Sequence, residues 1–271
     1  MKVLLTNDDG IAAKGLHALR RALLAVPGVE LAVIAPDANR SATARSITTS
    51  RPLWVEEVEF GDGTTGYATD GTPVDCVRCG WLGLADGFAA DLVVSGINHG
   101  FNLGDDITYS GTVAAAFEAI LLGIPGIAVS QQSSAREMGY QSGERYDFTA
   151  AAEFVARLVD EIEELPLPAG TLLNVNVPDG TPEGVEVTRL GKRIYRDALE
   201  LQLEENGRKR YRIYGETPGF HDEEGTDLAA VARGRIAVTP IHFDLTDRPG
   251  IEALRSFGIE RLLAPAAPRD Q

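Results

Sequence analysis

Sulfur is scarce in this chain, with two cysteines and two methionines among 271 residues. Two thiols cannot build a disulfide framework, so the expectation is a reduced, cytoplasmic protein. They stand as Cys76-x-x-Cys79, and a redox or zinc motif is one reading of that spacing. No second Cys/His pair lies at zinc-finger spacing and no thioredoxin-like context surrounds it. The plainer reading is two small buried residues near one face of a helix. Long apolar runs are missing as well. The most apolar stretch, Val113 to Val129, is short and carries Glu118, Gly123, Pro125 and Gly126, which argues against a membrane span. The apolar run after Lys2 meets two aspartates at once and is too short for a signal peptide. Basic residues are outnumbered, 25 Lys and Arg against 40 Asp and Glu, for a formal net charge of −15. So acidic a chain repels the backbone of long nucleic acids. An anionic substrate would need a locally positive site, and a bound metal is one way to make it. Two phosphate-binding signatures are also absent. There is no loop ending in Gly-Lys-Ser/Thr and no G-x-G-x-x-G.

What is present is an alternation. Lys2–Thr6 is a short apolar run that reads as a buried parallel strand. Gly15–Val26 has helical spacing in Leu16, Leu19, Leu23 and Leu24, and Val29–Ala35 is a second strand stopped by Pro36. Helix over Pro73–Leu84, strand over Leu92–Ser95, helix over Thr112–Leu122 and strand over Gly126–Ser130 follow. A long amphipathic helix at Phe148–Glu163 and a strand at Thr171–Val177 complete the series. This β-α-β-α order predicts an α/β fold, a three-layer, mainly parallel sheet covered on both faces.

The pattern changes after Pro178. Strands are expected at Val185–Leu190, Tyr211–Gly215 and Arg235–Pro240, with a short helix at Thr226–Val231. The stretch from Arg193 to Arg212 is too polar to bury much area alone. It is either a flexible arm or a segment that pairs with another subunit. The expected organisation is a catalytic core over 1–180, a β-rich extension over 181–263 whose final strand returns to the core, and a disordered tail over 264–271.

Three segments carry chemistry, each directly after a strand, where ligands bind in open α/β sheets. Asn7-Asp8-Asp9-Gly10 puts two carboxylates side by side, which repel unless a cation or strong donors compensate. Oxygen ligands suit Mg2+ or Mn2+. A plain turn is the competing reading. Pro36–Ser46 offers the Ser41 hydroxyl with Arg40 and Arg45, or merely a helix cap. Ser95–Thr112, SGINHGFNLGDDITYSGT, holds four glycines with Asn98 and Asn102, and ends in Ser110-Gly111-Thr112 opening a helix. A helix N-terminus of that kind is an anion site, and a loop this long is more often functional than structural. Asp105 and Asp106 read as a cap or a solvated pair, and Arg189, Lys192 and Arg193 as a solvated basic face or the rim of a phosphate site. Asp70-Gly71-Thr72-Pro73 reads as a turn and helix start. Among the histidines only His99 falls in the candidate site.

Taken together these segments resemble the SurE family of survival-protein nucleotidases. The matching stretches include TNDDGI at 6–11, TDGTPVDCV at 69–77, DLVVSGIN at 91–98, NLG at 102–104 and YSGTVAAA at 109–116. GIPGIAVS at 123–130, NVNVP at 174–178 and TPI at 239–241 continue the match. The resemblance implies a Rossmann-like core with an extension exchanged between subunits, in a homodimer or homotetramer. It implies hydrolysis of nucleoside 5′- and 3′-monophosphates, with short polyphosphate as a further substrate. It implies one divalent metal per subunit on Asp8, Asp9, Ser41 and Asn98, and phosphate contacts at Asn102, Ser110, Gly111 and Thr112. Asp8, Asp9 and Asn98 are the expected catalytic residues. Where many members carry Gly-His this chain has Ala44-Arg45, so Arg45 stands as a phosphate contact but not a proton donor. The alternatives are a haloacid-dehalogenase-like phosphatase with Asp8 as nucleophile, disfavoured because the aspartates are adjacent, and a nucleotide-binding module without turnover.

Overall fold

A computed structural model of the chain describes residues 1–135, 145–195, 198–213 and 218–263. The expected disordered tail and the end of the expected strand at Tyr211–Gly215 lie outside them. β1 (Lys2–Thr6) is followed by α1 (Lys14–Leu24), β2 (Glu30–Pro36), the hairpin β3 (Val55–Glu59) and β4 (Thr65–Thr69), and α2 (Pro73–Trp81). β5 (Leu92–His99), a 3-10 helix at Gly104–Tyr109, α3 (Gly111–Leu121), β6 (Gly126–Gln131), α4 (Thr149–Asp160) and β7 (Thr171–Val177) come next. The remainder is β8 (Val185–Val187), β9 (Arg193–Ile194), β10 (Glu200–Glu205), β11 (Arg208–Arg212), β12 (Gly219–Phe220), α5 (Asp227–Ala232), β13 (Ile236–His242) and α6 (Arg248–Phe257).

The main sheet runs β3-β4-β2-β1-β5-β6-β7-β13-β8. Pairing is parallel from β4 through β7, while β3 and β13 pair antiparallel with β4 and β7. Leu16, Leu19 and Leu23 of α1 pack with Val155 and Val159 of α4 on one face, and Cys76 and Val77 of α2 with Ala115 and Ala119 of α3 on the other. That is the expected three-layer α/β arrangement, and strands covered on both faces read as continuous apolar runs for this reason. Cys76 is buried and both thiols are free, as the plainer reading of the pair requires. Thr72 caps α2 and trades bonds with Asp75 in a capping box, with Pro73 at the first turn.

The elements that escaped the sequence include β3, β4, β10 and α6. β3, VEEVE, has every residue at least partly exposed and so lacks alternation. α6 buries no residue. The polar stretch after Arg193 forms the antiparallel hairpin β10–β11, exposed throughout, with Leu201 opposite Tyr211. β5 also runs on past Ser95 to His99, with an irregular register against β6 between Ser95 and Asn98. The reason is Gly96, at φ +136, where a β-carbon would stand 2.3 Å from the Val129 carbonyl oxygen. Only glycine tolerates that turn and approach.

Candidate active site

The chain steps from β1 to β2 on one side and returns to β5 on the other, so β1 and β5 flank the point where strand order reverses. Asp8 and Asp9 leave the end of β1 and Asn98 stands at the end of β5, whose residues pair with β1 up to Thr6↔Ser95. Asn7 fixes the turn between them, accepting from and donating to the Gly10 backbone.

Asp8 is 3% exposed and meets the start of α3. The Thr112 hydroxyl donates to its Oδ1 at 2.7 Å and the Thr112 N–H to its Oδ2 at 3.1 Å. Gly111 permits this approach, since a β-carbon there would lie 2.9 Å from Asp8 Cβ. Burial, and then the Asp9 charge beside it, push the Asp8 carboxyl up to about 6 against the pull of the Thr112 bonds. Asp9 accepts the His99 N–H at 3.0 Å and the Asn39 side-chain amide at 3.2 Å. The His99 ring lies 3.3 Å from it and stacks on Tyr146.

Ser41 is exposed, on a loop held to both acids. The Arg40 N–H donates to the Asp8 carbonyl at 2.7 Å, and Asn39 accepts the Ser41 N–H at 2.8 Å while donating to Asp9. Asn39 is a residue that sequence reasoning missed, although Asn is a common turn former. Ala42 and Ala44 flank Thr43 in left-handed conformations, at φ 57° and 52°, unusual for residues with a β-carbon. Asn98 donates its amide to the Gly100 carbonyl, which keeps its side-chain oxygen as an acceptor.

Asp8, Asp9, Asn98, Gly111 and Thr112 are therefore gathered in one place, with Ser41 at the rim. Two expected phosphate contacts have structural partners. Asn102 donates to Ser130 Oγ at 2.8 Å, and its backbone is fastened by Asn174 and Asn176, whose part was not foreseen. The Ser110 side-chain oxygen caps α3 by accepting the Val113 N–H at 3.0 Å. Gly111 N–H has no partner among the described residues. Arg45 is directed elsewhere. Its guanidinium pairs at 2.7 Å with Glu118, 1% exposed on α3, and lies over Phe243. Arg78 grips the same Glu118 at 2.6 Å. Arg193 corrects the expectation of a solvated basic face, since it is buried against Asp106.

A cavity of about 950 Å³ opens on the outer side of α3, lined by Arg45, Phe117, Ile241 and Phe243 among others. It shares only Ser110 with the acids' neighbourhood. The candidate site is therefore placed at the acids, not at the cavity.

The residues at β1 and β5 suit a divalent cation. Two buried adjacent carboxylates, an asparagine oxygen and a serine hydroxyl are hard oxygen donors. Among the described residues neither carboxylate has a lysine or arginine partner, so the pair lacks positive charge.

The family model for the survival protein SurE matches residues 3–197. The 5′-nucleotidase SurE of Rubrobacter xylanophilus is 53% identical, with 97% of this chain and 99% of that protein covered. The 5′-nucleotidase SurE of Chloroflexus aggregans is 47% identical over 94% and 98%. The crystal structure of the SurE protein from Aquifex aeolicus superposes with a TM-score of 0.79 at 38% identity, covering 95% of this chain and all of that one. The acid pair after β1, the asparagine ending β5 and the glycine-opened helix facing them lie within the matched residues, and the chain belongs to the SurE family.

Proposed function

We propose that the protein is a divalent-metal-dependent phosphomonoesterase that hydrolyses nucleoside 5′- and 3′-monophosphates to nucleoside and phosphate, with short-chain polyphosphate as a further substrate. One observation carries the reading: a pair of adjacent carboxylates with buried side chains, without a lysine or arginine partner among the described residues, faces a helix N-terminus. The relatives' name, 5′-nucleotidase, agrees with it.

Asp8, Asp9, Ser41 and Asn98 would hold Mg2+ or Mn2+, one ion per subunit. Such an ion supplies charge against the phosphoryl oxygens and acidity to a water. Asp8 orients the attacking water and takes its proton at a carboxylate oxygen. Thr112 keeps Asp8 in place for that task. Gly111 N–H and the Ser110 hydroxyl receive phosphate oxygens, with Asn102 close behind. Arg45 would have to leave Glu118 to meet an incoming anion. Asp9, oriented by His99 and Asn39, serves mainly as a ligand. Catalysis is then positioning plus charge stabilisation.

The assembly belongs to the same proposal. Leu201, Leu203, Tyr211 and Ile213 are exposed along β10–β11 and its exit. α6 leaves Leu254 and Phe257 exposed as well. Apolar rows of this kind favour a homodimer or homotetramer in which the extension is exchanged. No described helix is long and apolar enough to cross a membrane. The free thiols fit the cytoplasm.

The test is phosphate release from nucleoside 5′- and 3′-monophosphates and tripolyphosphate with Mg2+, Mn2+ or EDTA. Release that needs the metal is the expected result. Binding of nucleotides with no release under either metal would turn the protein into a binding module. Light scattering checks the assembly, and a strict monomer would refute the exchanged arm.

A further inference from the structure

Asn98 is joined to α3 by a loop whose middle is fixed by residues from far along the chain. Phe101 and Leu103 are buried with Leu228, Val231 and Ala237. Gly104, at φ +54, lies so near the extension that a β-carbon would stand 2.7 Å from the Gly191 carbonyl oxygen. Its N–H donates to Asp227 Oδ2 at 2.8 Å, and Asp227 Oδ1 accepts the N–H groups of Gly191 and Leu228 at the same distance. Asp106 forms a second fastening. Arg193 donates from Nε to Asp106 Oδ2 at 2.7 Å, and the Tyr195 hydroxyl donates to Oδ1 at 2.8 Å. The Arg193 N–H also donates to Asp105 at 3.2 Å. The Arg193 and Asp106 side chains are 1% and 4% exposed.

Enclosing an ion pair this deeply costs desolvation that apolar contacts would avoid, so net stability is a weak reason for it. Directional bonds between buried groups fix geometry instead. The stretch so fixed ends at Ser110 and Gly111, which face Asp8.

We propose that Arg193 and Tyr195, together with Asp227, are positioning residues of the active site. They hold the 104–109 turn against the extension and so set Ser110 and Gly111 relative to Asp8. None of the three touches reacting atoms, since they act through Asp106 and Gly104. The extension is thereby part of how the site is built. Because β9 leads towards the β10–β11 hairpin, the same residues connect that hairpin to the loop. The kinetic part of this inference rests on the nucleotidase reading, while the mechanical part does not.

The test uses the full chain with Tyr195→Phe, which removes one donor and keeps the ring, alongside Arg193→Met and Arg193→Lys. In Tyr195→Phe, kcat/KM for a nucleoside 5′-monophosphate should fall about tenfold, the worth of one part-buried bond to a charged group. The inhibition constant of inorganic phosphate should rise with it. Mn2+ affinity by calorimetry should hold, because the proposed ligands are untouched. Arg193→Met should lose more, and Arg193→Lys should recover part. Amide exchange over 103–110 in the ligand-free protein should quicken in Tyr195→Phe. A Tyr195→Phe protein with unchanged kcat/KM overturns the proposal, whether exchange quickens or not. Should the wild type release no phosphate, the nucleotidase reading falls by itself. Exchange and phosphate binding then decide the positioning claim, faster exchange with weaker phosphate binding supporting it and no change in either overturning it. If Arg193→Met does not fold, Tyr195→Phe carries the test alone.

Discussion

Asp8 and Asp227 are both buried, both pushed by burial above the ordinary carboxylate range, and both grip the chain between Gly104 and Thr112. Their surroundings differ in one respect. Asp227 accepts three backbone N–H groups spread over its two oxygens. Asp8 has the two donors of Thr112 and, beside it, the like charge of Asp9. A carboxylate given three N–H groups is a joint. A carboxylate given a second carboxylate carries a repulsion that a cation would relieve. Burial and a raised pKa mark both places, and only the balance of donors and charges tells the candidate site from the strut.

Substitution should separate the two most sharply. Asp8→Asn keeps the shape and removes the charge. Turnover should fall by at least about a thousandfold, as when a group acting only in the transition state is lost, while the melting temperature holds or rises. Asp227→Ala should reverse the order of damage. It strands three buried N–H groups and should cost about 3 kcal/mol of stability by denaturant titration. An Asp8→Asn protein with retained activity, or an Asp227→Ala protein as stable as the parent, would collapse the distinction.

Acidity sharpens the contrast further. With its folded pKa raised to about 6 from 3.8, Asp8 favours the protonated protein. Its contribution is fully present below pH 4 and is lost as pH rises through about 6. A tenfold change in proton affinity is about 1.4 kcal/mol, so the EDTA-treated protein should lose on the order of 3 kcal/mol across that window. Asp8→Asn should show no such loss, and saturating Mn2+ should abolish it in the parent. Equal pH profiles for parent and Asp8→Asn in EDTA would mean that burial and the Asp9 charge do not raise the Asp8 pKa.

Asp75 is the opposite case and the smallest effect. Burial would raise its pKa, but the bonds from Thr72 and Thr48 outweigh burial and hold it below the usual range. Its contribution is present above about pH 4 and is lost as pH falls through the folded value. Asp75→Asn should cost about 1 kcal/mol at neutral pH, the worth of a capping box, and should flatten the acid side of the stability curve. An unchanged acid side would show that the Thr48 and Thr72 bonds do not depend on its charge.

Much of this was legible in the residues. The strands at Lys2–Thr6 and Thr171–Val177 stand where their apolar runs put them, because a strand covered on both faces writes itself as such a run. β3 and α6 left no such record, because neither is covered by the chain. Asp8, Asp9, Asn98 and Thr112 were legible as candidates because their segments follow strands. Asn39, Asn174, Asn176 and Asp227 were not, because nothing in their neighbourhood distinguishes a buried strut from a turn residue. Arg193 was misread for a related reason, since a basic residue in a polar stretch shows its burial only through a partner 87 residues away.

By itself the sequence determined the layered α/β fold and the acid pair at the end of the first strand, since both are written in local spacing, and the family through the motifs it shares with relatives. Only the tertiary structure decided which donors reach which acid: Thr112 at Asp8, Arg45 at Glu118, and the extension at Gly104 and Asp106. Those pairings join residues far apart in the chain, and their energies depend on burial and distance, which no local pattern encodes.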